Sequence, residues 1–168
     1  MRTRLSDGTP ILIRAIRPYD KQALATGLRR LSTESINRRF LGLKLSFTTA
    51  ELRYLTEIDG RDHHALVAID RRRPADLIAV ARLVRLRDDP TAAEAAIVVC
   101  DEHQGKRLGT TLALMLADAA RVRGIARVEA SMSSDNRPAL ALMRRIAARL
   151  TDSGHSGGVR ALVADLTG

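Results

Sequence analysis

Short apolar runs of strand length alternate along this chain with longer stretches whose apolar residues are spaced by three and four. The first run, "TPILIRAIR" (9 to 17), predicts a strand. Pro18 and Asp20 then open a helix that carries Leu24, Leu28 and Leu31. A short second helix is expected at "TESINRRFL". "TTAE" (48 to 51) has capping-box spacing ahead of Leu52, Leu55 and Ile58, which predicts a third helix ending near Asp59 and Gly60. "HHALVAID" (63 to 70) and "DLIAVARLVRLR" (76 to 87) read as two strands joined through "RRRPA", an antiparallel hairpin.

The second half continues the alternation. "AEAAIVVCD" (93 to 101) predicts a strand. From about residue 108 a helix follows, with Leu108, Leu112, Met115, Leu116, Ala119 and Val122 on one face and Gly124 as its stop. "IARVEASM" (125 to 132) is a further strand. Asp135 or Asn136 caps the next helix, Pro138 sits in its first turn, and Leu142, Met143, Ile146 and Leu150 form its buried side. After the loop "SGHSGG", "VRALVADL" (159 to 166) is the last strand. Hairpins come early and a strand, helix, strand crossover comes late. The expected fold class is therefore α/β (α+β), with a central mixed, mostly antiparallel sheet and helices on both faces.

Composition narrows what such a fold contains. The 168 residues fit one domain, expected to run over 1 to 168. Hydrophobic residues make up 45% and aromatic ones 2%, so Leu, Val, Ile and Ala must build the core. Cys100 is the one cysteine, which rules out an intramolecular disulfide and agrees with a reducing cytoplasm. No run approaches the ~18 apolar residues of a membrane span, and "MRTRLSDGTP" lacks the apolar centre of a signal peptide. A cytoplasmic protein without a membrane partner is expected.

The net charge of +9 comes from 25 Arg and 3 Lys against 19 acidic residues. Such a field attracts anions of every kind without choosing among them. Nucleic acid is not the expected partner, because no helix-turn-helix, zinc or basic-zipper pattern is present and bases would find few rings to stack on.

Against that background "QGKRLG" (104 to 109) stands out, since it joins a strand directly to a helix. The first N–H groups of a helix point out of its positive end, so such a turn can hold an anion. Gly105 lets backbone approach a ligand, Gly109 lets the first turn pack closely, and Lys106 with Arg107 add mobile charge. Neither the P-loop nor the dinucleotide fingerprint is matched. The same turn also serves as an ordinary tight connection.

With its order of elements, this loop resembles the GNAT superfamily of N-acetyltransferases, whose cofactor loop has the form Gln/Arg-x-x-Gly-x-Gly/Ala. Gln104 and Gly109 match it, and Asn136 stands where the family often has an asparagine. "LSTES", "LTEIDGRDHHALVA" and "IAVARLVR" look like the subgroup containing bacterial protein-lysine acetyltransferase domains. The resemblance implies acetyl-CoA as cosubstrate and no metal. Backbone groups of Ile97, Val98 and Val99 would take the pantetheine arm. The pyrophosphate would rest on the amides of Gly105, Lys106, Arg107, Leu108, Gly109 and Thr110, with Gln104 and Asn136 as further cofactor-binding residues.

An amine acceptor must lose a proton, and Glu94 is the expected base, on the strand face shared with Ala96 and Val98, where burial would raise its pKa. Glu129 is a reserve base. Three departures from the family pattern are visible: Arg107 replaces the middle glycine, Met143 stands where a tyrosine acid is common, and Ser131 replaces an acidic residue. Arg107 is expected in an ordinary helical conformation with its guanidinium toward phosphate. Arg39 and Phe40 belong to the segment that frames the acceptor side in this family.

Other reactive groups carry less. Cys100 has no assignable His and Asn partners and is read as an inert thiol. His63, His64 and His103 match no metal spacing, and His155 is expected to be exposed. The expected function is N-acetyl transfer from acetyl-CoA to a primary amine, either a protein lysine or a small molecule. The alternative is a non-catalytic module on the same fold that binds acyl-CoA or a protein partner.

Overall fold

The computed structural model describes residues 1–40 and 46–167, and of residues 39 and 40 the backbone alone. The expectation placed on the Arg39 and Phe40 side chains therefore lies outside the described residues. The strands are β1 (Arg2–Arg4), β2 (Pro10–Ala15), β3 (His63–Asp70), β4 (Leu77–Arg85), β5 (Ala92–Val99), β6 (Arg127–Ser133), β7 (Arg149–Ser156) and β8 (Val159–Asp165). The helices are α1 (Lys21–Arg29), α2 (Thr33–Phe40), α3 (Thr49–Thr56), α4 (Leu108–Val122) and α5 (Arg137–Ile146). All eight strands form one sheet in the order β1-β2-β3-β4-β5-β6-β8-β7. Each neighbouring pair is antiparallel except β5 with β6.

Local chemistry explains the helix starts. Thr48 accepts from the Glu51 amide at 3.1 Å while Glu51 accepts from the Thr48 amide at 2.8 Å, the capping box expected for α3. Asn136 caps α5 by accepting from the Ala139 amide at 3.1 Å. Ahead of α1, Asp20 takes a two-point ion pair from Arg14 at 2.7 Å and the Arg17 amide at 2.8 Å, which fixes the corner out of β2.

Alternation divides the sheet into two faces. On one, Leu66, Ala68, Ala81, Leu83, Ala93, Val128, Met132 and Leu162 pack against Leu108, Leu112 and Leu116 of α4 and against Met143 and Ile146 of α5. Each fully buried leucine contributes ~1.5–3 kcal/mol through apolar area removed from water. On the other face Ala65, Val67, Ile69 and Val80 meet Leu24 of α1 and Leu52 and Leu55 of α3. In β5 the residues Ala93, Ala95, Ile97 and Val99 look toward α4. Glu94, Ala96 and Val98 therefore look toward the α1 side.

Three expectations need correction. Val122 is 86% exposed, because the last turn of α4 runs past the sheet. Leu150 lies in β7, not in the final helix, which ends at Ile146. "SGHSGG" is not a loop: Ser153 to Ser156 complete β7 and Gly157 and Gly158 make the turn to β8. β7 is an edge strand exposed at nearly every position, so it carries no apolar alternation, and its irregular pairing between Asp152 and Gly154 together with its charges blunts the edge.

Candidate active site at the parting of two strands

β5 and β6 run parallel and pair only through Ala92, Ala93 and Glu94 with Arg127, Val128 and Glu129. Beyond Glu94 the strands separate. β5 continues to Val99 beside β4, and β6 continues to Ser133 beside β8. A wedge opens whose closed end is the Glu94–Glu129 pair and whose wide end is the loop into α4. Along it the backbone groups of Ala95, Ile97 and Val99 point into the gap without a strand partner among the described residues, whereas Val98, expected beside Ile97 and Val99, turns its N–H and C=O toward β4, because the bonds from the Leu86 amide to the Ala92 carbonyl and from the Cys100 amide to the Ile78 carbonyl put the even-numbered residues of β5 on that side. Unpaired strand backbone is a row of hydrogen-bonding groups available to an extended ligand.

The loop at the wide end is held by a network on α2 that sequence reasoning missed. Asp101 accepts from the Ser32 amide at 2.9 Å, the Ser32 hydroxyl at 2.8 Å and the Ser35 hydroxyl at 2.7 Å. Burial pulls the Asp101 pKa up, these bonds outweigh it, and the net shift is downward. Gln104 donates from Nε2 to the Ser35 hydroxyl and to the Val99 carbonyl, both at 3.0 Å. Its side chain thus ties the loop to β5 and α2. The available signal was the "STES" run, whose hydroxyls suit a helix start and need an acceptor. His103 is buried with no hydrogen bond at Nδ1, which lies 3.8 Å from a Glu102 carboxylate oxygen, and burial lowers its pKa. Cys100 is likewise buried, its thiol pKa pushed up by desolvation, as an inert thiol requires.

Gly105 and Arg107 both take positive φ, 71° and 65°. Arg107 is the N-cap of α4 in the left-handed region, not the ordinary helical residue expected. Glycine adopts that conformation without the steric cost an L-residue such as arginine bears there. Its side chain is exposed. The first backbone bond of α4 runs from the Thr111 amide to the Arg107 carbonyl at 3.1 Å. The amides of Leu108, Gly109 and Thr110 precede it and have no helical partner, which makes an anion site at the positive end of a 15-residue helix.

Lys106 is not the mobile charge expected. It pairs with Asp7 at 2.9 Å, and that hydrogen bond holds the Asp7 carboxyl well below the usual carboxylate range. Gly109 faces inward: a Cβ there would meet Leu142 at 3.5 Å and Val99 at 3.9 Å, so its smallness brings α4 close to α5 and β5.

Glu94 lies where expected along the chain but in different surroundings. It is exposed and not buried as expected, because β6 departs beyond that residue and leaves it open to water. Its register partners are Val84 on β4 and Glu129 on β6. Glu129 is half-buried and Ser131 exposed on the same face. Asn136, engaged as the α5 cap, follows β6 at the wide end. Met143 is 5% exposed within the core under α5, so packing occupies the place of the absent tyrosine.

A strand pair parting around open amides, with an anion site at the head of the next helix, defines an acyl-CoA acyltransferase class of protein. Residues 29–147 match the model of the acetyltransferase (GNAT) family, and the chain belongs to that family. It is 33% identical over 136 residues to acetyltransferase Pat of Mycolicibacterium smegmatis, across 81% of this chain and 40% of that protein. It therefore spans less than half the length of that relative. It is 30% identical over 135 residues to acetyltransferase PA5475 of Pseudomonas aeruginosa, across 79% of this chain and 72% of that one. Among solved structures the GNAT domain of S. lividans PAT superposes with a TM-score of 0.86 at 26% identity, covering 99% of this chain and 96% of that one.

Proposed function

We propose that the protein transfers the acetyl group of acetyl-CoA to a primary amine, with a protein lysine preferred over a small molecule as acceptor. The observation that carries this reading is the coincidence, on one family-matched stretch, of the parted strand with the open amides of α4. The pyrophosphate lies on the amides from Gly105 to Thr110, under the Arg107 guanidinium. The pantetheine arm runs down Val99, Val98 and Ile97 toward the closed end of the wedge. There the amine nitrogen attacks the thioester carbonyl: the N–C bond forms, the C–S bond breaks, CoA leaves as thiolate and Glu94 takes the amine's proton.

Release of CoA thiol with a panel of amines tests the reading. Glu94→Gln keeps the size of the side chain and removes its basicity, so turnover falls by about 10² to 10⁴ at neutral pH while acetyl-CoA affinity is retained. Unchanged turnover in that variant removes Glu94 from its role. The buried Met143 favours a second reading, a module that binds acyl-CoA without turnover. A rise in Tm with acetyl-CoA and no thiol release from any amine selects it, and a Tm unmoved by acetyl-CoA defeats both.

A further inference from the structure

Glu94 and Glu129 stand directly opposite each other on neighbouring strands, their backbones about 5 Å apart. On the same face the row continues through Val84 on one side and Val163 on the other. Like charges in that relation repel. In a chain with 28 cationic residues the arrangement is easily relieved by an arginine, and elsewhere the chain does so. Among the described residues every other carboxylate except Asp88 holds a cation, a hydroxyl or a backbone amide. Glu94 and Glu129 hold none. They also stand at the closed end of the wedge, where acetyl transfer brings in a positive group from outside, since a primary amine arrives as an ammonium ion.

We propose that Glu129 is the residue that recognises the acceptor, holding its ammonium across the closed end of the wedge from Glu94. The inference rests on the acetyltransferase reading and adds a division of labour to it. The arriving ammonium gives up two protons: water takes the first as the nitrogen becomes nucleophilic, and Glu94 takes the second as the N–C bond forms and CoA leaves as thiolate. Glu129 keeps its charge throughout and positions the nitrogen through Coulomb attraction and a charge-assisted hydrogen bond. Val84 and Val163 flank the pair with apolar surface suited to the methylenes below an alkylammonium head. The site thus selects an unbranched alkylammonium, such as a lysine side chain, over amines with a carboxylate beside the nitrogen.

The test compares wild type with Glu129→Gln and Glu129→Asp in steady-state kinetics with a lysine peptide, at low and high salt. Removing the charge raises KM for the peptide about fivefold at low salt, with less effect at high salt, and leaves the pH dependence of kcat in place. Glu129→Asp recovers part of the affinity. A peptide bearing trimethyl-lysine, which carries the charge and no transferable proton, inhibits wild type competitively against the acceptor and Glu129→Gln more weakly. Because the substitution removes a repulsion, Tm is unchanged or raised. A KM and inhibition constant the same as wild type in a folded Glu129→Gln overturns the proposal. If wild type turns over no amine, the acetyltransferase reading fails separately, and calorimetric titration of the trimethyl-lysine peptide into the CoA-loaded proteins still decides: equal binding to wild type and Glu129→Gln, or none to either, refutes recognition by Glu129.

Discussion

Replacing Arg107 with glycine separates two effects that meet in one residue. Among the described residues it is the single non-glycine at positive φ, with φ 65° and ψ 3° at the head of α4. Holding an L-residue there costs about 1–2 kcal/mol. Glycine removes that cost but gives the unfolded chain more freedom, an opposing change of about 0.4–1 kcal/mol. The net is a stabilisation on the order of 0.5–1 kcal/mol, which in a chain of this length raises Tm by roughly 1–4 °C. The same change removes an exposed guanidinium beside the phosphate site, where a screened charge contributes about 0.2–1 kcal/mol, so acetyl-CoA binding weakens by up to about fivefold at low salt. Thermal melts and calorimetric titrations at two ionic strengths read both effects, with Arg107→Ala as the control that keeps the strained conformation and loses the charge. A lower Tm for Arg107→Gly refutes the strain argument. Tighter binding, or a loss of affinity independent of salt, refutes the role of the guanidinium.

Gln104→Ala removes both ties of the loop, to Ser35 and to the Val99 carbonyl, so Tm falls by an amount consistent with about 1 kcal/mol per bond and acetyl-CoA affinity drops with it; titration and melting curves on one preparation check this. Gly109→Ala meets Leu142 and Val99 at ordinary contact distances and leaves the melting curve near wild type, whereas Gly109→Val displaces Leu142 and destabilises by about 1–3 kcal/mol, measured by urea unfolding. Burial first, then the neighbouring Arg82 guanidinium, pushes the His63 pKa down to about 4. Neutral His63 is thus the native form, and the stability linked to it is complete above the unfolded value near 6.5 and is lost as pH falls toward about 4; urea midpoints across that range show a decline that His63→Gln flattens.

The local framework of the candidate site was legible in the sequence. The strand to Val99, the turn with Gly105 and Gly109 and the helix from Leu108 follow from apolar spacing and from what glycine allows, and Asn136 with Pro138 marks the start of α5. These are local facts, set within a few residues of chain. The polar edge strand β7 was not legible, because its exposed positions carry none of the apolar alternation that betrays a strand.

What only the tertiary structure decided depends on residues far apart in sequence. Asp101 meets Ser32 and Ser35 across more than sixty positions, and Lys106 reaches Asp7 across almost a hundred. Alternation gave Glu94 a face but not its surroundings. Whether that face is dry depends on which strand lies beside β5 and how far it stays, and β6 leaves at that residue. The left-handed turn at Arg107 runs against the local preference of arginine. The facing of Glu94 and Glu129 is a property of register alone, and register between strands separated by a whole helix is fixed by the packing of α4 beneath them.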